Sequence, residues 1–142
     1  MQPDPLVRFV EAQDGIYRQA LAELIAGRKR GHWMWFVFPQ LKGLGRSPTS
    51  HFYGLESAAE ARLYLDHVLL GPRLRECTAA LLGHRGDSAE AILGAIDAMK
   101  LRSSMTLFDR VGGEGEGEPF GQCVAAFFGG ERDPATLRLL EP

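Results

Sequence analysis

Six consecutive apolar residues, Trp33 to Phe38 (WMWFVF), fit a buried strand or a buried helical turn equally well by period. No second strand candidate occurs elsewhere in the chain, and a lone strand cannot pair its backbone N–H and C=O groups. The run therefore reads as a short buried helix ended near Pro39. Whatever packs around it must be helical too.

Caps and glycines divide the remainder accordingly. Asp4-Pro5 offers an N-cap and a proline for the first helical position, ahead of Leu6, Phe9 and Val10. Asp14 is placed to cap a second helix, with Ile16, Tyr17, Ala20, Leu21 and Leu24 on one stripe and Gly27 as its stop. Ser57 with Glu60 forms a capping box, and Asp87 with Glu90 forms another. Gly71-Pro72 opens a helix that Gly83 closes. Asp97 is expected to cap a helix that turns Leu101, Met105 and Phe108 inward, with Ile96 stapled to Leu101. Pro119 opens the clearest stripe, Phe120, Cys123, Val124, Phe127 and Phe128, ended by Gly129-Gly130. Asp133-Pro134 starts the last helix. Leu41 to Gly54 has loop composition, and residues 112–118 (GGEGEGE) read as a mobile surface loop with nothing to bury. The expectation is an all-α fold, a compact single domain over residues 1–142 with seven or eight short helices.

Composition narrows the function classes. A chain of 142 residues, 45% apolar and 24% charged, is long enough for one well-buried core. It has no run of eighteen apolar residues to span a membrane, and Met1 to Gln13 lacks a basic segment leading into an apolar one, so a cytoplasmic location is expected. Cys77 and Cys123 read as reduced core thiols with no disulfide partner. His32, His51, His67 and His84 show no HxxxH or HExxH spacing, and no CxxC is present, so no metal site is expected. The net charge is −2, yet residues 1–50 carry seven basic and four acidic side chains while residues 112–142 carry two and six. That distribution is unsuited to general nucleic-acid coating. A defined anionic group suits it better.

Gly27 to Leu44 is the most aromatic and most basic window, and no Asp or Glu occurs from Leu24 to Leu55. A carboxylate nearby would compete with an anionic ligand for the cations, so the absence suggests a site. Arg28, Lys29, His32 and Arg46 are its candidate anion-holding groups. Trp33 or Trp35 would stack on a nucleobase or lie against a cationic guest, and Gln40 would add an amide contact. Ser47 and His51 come from the Gly-rich loop, which has no Walker ending. Lys100, Arg102 and Ser103, in KLRSSMT, would form the opposite wall. Two adjacent serines inside a helix are unfavourable unless they bond back to the preceding turn or to something else. No nucleophile elbow is present. His32 and His51 are acid–base candidates, with Asp97 a third that is better placed as a cap.

The words RFVEAQ, YRQALAELIAGRKRGHWMWFVFPQLKGLGRSP, YGLESAAEARLYLDH, LGPRLREC and KLRSSMTLF resemble the uncharacterised bacterial family catalogued as domain of unknown function 1810, from Asp4 to Leu140. The resemblance implies a small, mainly α-helical fold and carries no established activity, so catalytic residues and cofactors stay unknown. Some members bear the label calpastatin. That inhibitor is disordered and repetitive, whereas this chain has caps, stripes and a core.

Two functions follow as expectations. One is a small helical protein binding a phosphate-bearing or otherwise anionic, nucleotide-like small molecule in a basic-aromatic cleft. The alternative is a non-enzymatic protein- or RNA-interaction module that uses the same surface.

Overall fold

The computed structural model describes residues 4–113 and 117–141, and these form ten α-helices. They are α1 (Val7–Gln13), α2 (Tyr17–Ala26), α3 (Met34–Val37), α4 (Pro48–Tyr53), α5 (Ala58–Asp66), α6 (Leu70–Leu82), α7 (Ala89–Leu93), α8 (Ala95–Val111), α9 (Phe120–Phe128) and α10 (Pro134–Leu140). The helical class is as expected, but seven or eight helices was too few. Short elements account for the excess, above all α4, which lies inside the segment of loop composition, residues 41–54. Its chemistry is that of a helix start: the Ser47 hydroxyl accepts the Ser50 N–H at 3.1 Å, and Pro48 follows at the first helical position.

Several caps differ from the sequence reading. Ser57 and Asp133 do cap α5 and α10, each accepting the N–H three residues on. Gly27 ends α2 in the left-handed conformation, at φ 79°. Asp14 does not cap α2, which begins at Tyr17 with no side-chain cap; it is instead the C-cap of α1. Ser88, not Asp87, caps α7. Asp97 lies within α8, since Gly94, at φ 89°, closes α7 and opens α8 in one step that a Cβ would strain. Ile96 is thereby turned out to solvent rather than stapled inward. In the loop over residues 112–118, positions 114–116 lie outside the described residues.

The long helix α8 is the centre. It packs against α5, α7, α9 and α10, and every residue from Ser103 to Asp109 is buried. A helical stretch so enclosed needs partners for its polar groups. Ser103 donates to Met99 C=O at 3.3 Å and to the Asp133 carboxylate at 3.0 Å, and Thr106 accepts the Asp133 N–H at 3.0 Å. The Ser104 hydroxyl has no partner among the described residues. The second layer is α6 against α2, α5 and α9.

Cys77 and Cys123 are buried free thiols whose pKa is pushed up to about 12 by burial, so both stay protonated. The α9 stripe is buried at Phe120, Cys123 and Val124 but only half-buried at Phe127 and Phe128. The full-length buried stripe read from the sequence therefore holds for its first half alone.

The segment 33–38 is anchored by Gln13. Its side-chain N–H₂ donates to Phe36 C=O at 2.7 Å and to Tyr64 Oη at 3.2 Å, while its oxygen accepts from Arg73 at 3.2 Å. Just beyond, Leu41 and Leu55 form an isolated parallel bridge, in which Leu55 N–H donates to Gln40 C=O at 2.9 Å and Lys42 N–H to Leu55 C=O at 2.8 Å. This closes the α4 loop at its base and fixes Gln40. No helix among the described residues is long and apolar enough to cross a membrane.

Candidate functional site

The basic turn after α2 is shaped by a carboxylate rather than by its own cations. Glu23, one turn before the end of α2, accepts the N–H of Arg30 at 2.6 Å, the N–H of Gly31 at 2.9 Å and the indole N–H of Trp33 at 3.0 Å. Gln19 adds a fourth donor at 2.9 Å. Burial raises the Glu23 pKa, but these donors, the two backbone N–H groups foremost, bring it down to about 2. Lys29 N–H donates to Ile92 C=O at 2.8 Å, which docks the turn against the junction of α7 and α8.

At that junction lies a hollow of about 540 Å³ whose walls include Lys29, His32, Trp35, Gly94, Asp97 and Lys100. Asp97, in the first turn of α8, carries both lysines: Lys29 Nζ is 2.7 Å from its carboxylate and Lys100 Nζ 3.6 Å. The Lys29 side chain is only 8% exposed, so its charge is held by Asp97, by Gly31 C=O at 2.5 Å and by the Trp33 ring 5.1 Å away. Lys100 Nζ sits 4.1 Å from the centre of the Trp35 ring. The Trp35 indole N–H is buried and has no partner among the described residues. No side chain caps the start of α8, whose first residues Ala95, Ile96 and Asp97 line the same hollow.

A second hollow, of about 290 Å³, shares Lys100 and Ile96 with the first and is lined further by Gln40, Gly45, Ser103 and Asp133. The two are lobes of one groove along α8. Ile96 and Met99, each 72% exposed, stand on its rim.

The twelve residues singled out in the sequence fare differently. Lys29, His32, Trp35 and Lys100 come together in the first lobe, and Gln40, Ser103 and Lys100 in the second. Trp33 is 1% exposed with its N–H committed to Glu23, so it offers no stacking face. Arg28 and Arg46 are exposed and line neither lobe. Arg102 donates to Glu131 C=O at 2.7 Å and Arg132 C=O at 3.0 Å, tying the α9–α10 turn to α8. Ser47 is the α4 cap, and His51 is exposed on the same helix. Asp97, the third acid–base candidate, lines the first lobe and Asp133 the second; Asp133 was legible only as a cap, because Ser103, which ties it to α8, lies thirty positions away.

The acid-free interval is therefore not acid-free in space. Glu23 and Asp97 reach into it, and Lys42 pairs with Glu56. Among the described residues no three His, Cys, Asp or Glu side chains gather as a metal site.

The chain is 52% identical to the conserved hypothetical protein Rv1873 from Mycobacterium tuberculosis, whose crystal structure superposes with a TM-score of 0.92 over 98% of each chain. No curated protein matches the chain. Residues 3–140 match the family described as "Protein of unknown function (DUF1810)", and the chain belongs to that family.

Proposed function

We propose that the chain binds an anionic, nucleotide-like small molecule in the groove along α8. The observation that carries this reading is the convergence of the Lys29 and Lys100 ammonium groups on one place beside Trp35, at 2.7 and 3.6 Å from the Asp97 carboxylate. One carboxylate between two lysines leaves a net positive charge there. The groups around it are mostly donors: two ammonium groups, an unpartnered indole N–H and the uncapped N–H groups of a seventeen-residue helix. Acceptor-rich ligands such as phosphates complement such a set. The lobe's volume of about 540 Å³ suits a small molecule.

The test is titration with pyrophosphate, AMP and ADP-ribose at low and high salt, followed by tryptophan fluorescence, on the wild type and on Lys100→Met. Binding at micromolar to millimolar concentration that weakens with salt and is lost in Lys100→Met is the expected result. Silence from all ligands, with Lys100→Met unchanged, sinks it.

The alternative is an interaction module. The exposed Ile96 and Met99 on the groove rim favour it, since paired apolar side chains beside cations suit a protein partner.

A further inference from the structure

The second lobe is built for a different chemistry from the first. Its anchor is Asp133. Three donors hold this carboxylate: the Ser103 hydroxyl at 3.0 Å, the Thr136 N–H at 3.1 Å and the Thr136 hydroxyl at 2.5 Å. All three fall on Oδ2. Oδ1 takes none of them, so one oxygen is immobilised by the start of α10 while the other is left to the groove that Asp133 lines. The Gln40 carboxamide is similar. Its backbone is fixed by the Leu41–Leu55 bridge, yet its side chain makes no hydrogen bond with any described residue. A fixed carboxylate oxygen beside an unengaged amide, which both donates and accepts, is the combination that recognises neighbouring hydroxyl groups. Each hydroxyl donates to the carboxylate or the amide oxygen and accepts from the amide N–H₂. Lys100 belongs to both lobes, so the anion held in one and hydroxyls held in the other would be parts of one ligand.

We propose that the groove takes a polyhydroxylated phosphate ester, of which a sugar phosphate is the simplest. The phosphate lies at Lys29 and Lys100, and the hydroxyls meet Asp133 Oδ1 and the Gln40 amide. This rests on the anion reading of the first lobe and extends it to the ligand's other half. The side of the ligand that carries no charge is thereby also selected.

Isothermal calorimetry with inorganic phosphate, 2-deoxyribose 5-phosphate and ribose 5-phosphate separates the two claims. Ribose 5-phosphate should bind the wild type about tenfold more tightly than inorganic phosphate, with the deoxy sugar between them. In Asp133→Asn an amide N–H₂ replaces Oδ1 while an oxygen remains to cap α10, and asparagine caps as well as aspartate does. Gln40→Ala removes a side chain that holds nothing else in place. Both variants should bring ribose 5-phosphate down toward the affinity of inorganic phosphate. Thermal melts check that each is folded, and Gln40→Ala decides the matter if Asp133→Asn is not. Equal affinity of the wild type for all three ligands, or a ribose preference that survives Gln40→Ala, overturns the proposal and leaves the anion reading intact. No binding of any of them at millimolar concentration overturns both.

Discussion

Glu23 accepts the indole N–H of Trp33 at 3.0 Å while the same carboxylate oxygen grips the N–H groups of Arg30 and Gly31. A single side chain thus shapes the turn that presents Lys29 and His32 to the groove and fixes the largest wholly buried residue of the core.

Glu23→Ala should be destabilising by about 2–3 kcal/mol, because it strands a buried indole and two backbone donors. Urea unfolding measures it. The carboxylate also predicts an acid limb. Its folded pKa, about 2, lies below the ordinary value of 4.5, so its contribution is complete above pH 4.5 and is lost as pH falls from there toward 2. After allowance for solvent screening this is roughly 1–2 kcal/mol. Comparing the wild type with Glu23→Gln between pH 6 and 2.5 isolates it: the two stability curves should converge at the acid end. Parallel curves would show that Glu23 contributes nothing through its charge.

Asp97→Asn should strengthen pyrophosphate binding by about tenfold, since it removes one unit of negative charge within 4 Å of both lysines. The unliganded variant should melt lower, because the Lys29 charge loses its counter-ion, and pyrophosphate should restore it. Calorimetry and melting curves read both effects. Weaker binding would mean that Asp97 holds the lysines in place for the ligand rather than competing with it.

Gly71→Ala should be among the worst small substitutions. A Cβ there would lie 2.1 Å from Leu65 C=O, so α5 and α6 would have to separate. A loss of about 2 kcal/mol or more is expected. Gly86→Ala is the control, since nothing lies within 4 Å of its Cβ position. If both variants melt with the wild type, the close approach of α5 to α6 is wrong.

Phe120→Ala should cost about 3–5 kcal/mol, while Phe127→Ala should cost clearly less. Phe120 is wholly buried against Phe108, with ring centres 5.8 Å apart, whereas Phe127 is half-buried. Chemical denaturation of the pair gives the order, and a reversed order would place the C-terminal half of α9 in the core.

Local chemistry explains what could be read from the sequence. The caps at Ser57 and Asp133, the stop at Gly27 and the helical reading of Trp33 to Phe38 each depend on a few neighbouring residues. The α4 helix was hidden because a Ser-Pro start among glycines has the composition of a loop. The groove was half legible. The aromatic and basic window marked Lys29, Trp35 and Gln40, but Arg28 and Arg46 share that window and line neither lobe. Which cations meet a carboxylate depends on tertiary contacts, as Lys29 shows with Asp97, sixty-eight positions away.

Helix α8 ties groove-lining groups and core to one set of angles. Asp97 and Lys100 precede the wholly buried Leu101 and Met105, and Ser103 lies between them. Each residue advances a helix by about 100°, so an insertion or deletion between Asp97 and Met105 would swing one group off its bearing relative to the other. Relatives that keep this core are bound to keep the groove's orientation. Divergence in the groove's chemistry must come by exchanging side chains in place, at positions such as Gln40, Met99 and Lys100, and not by shifting the helix.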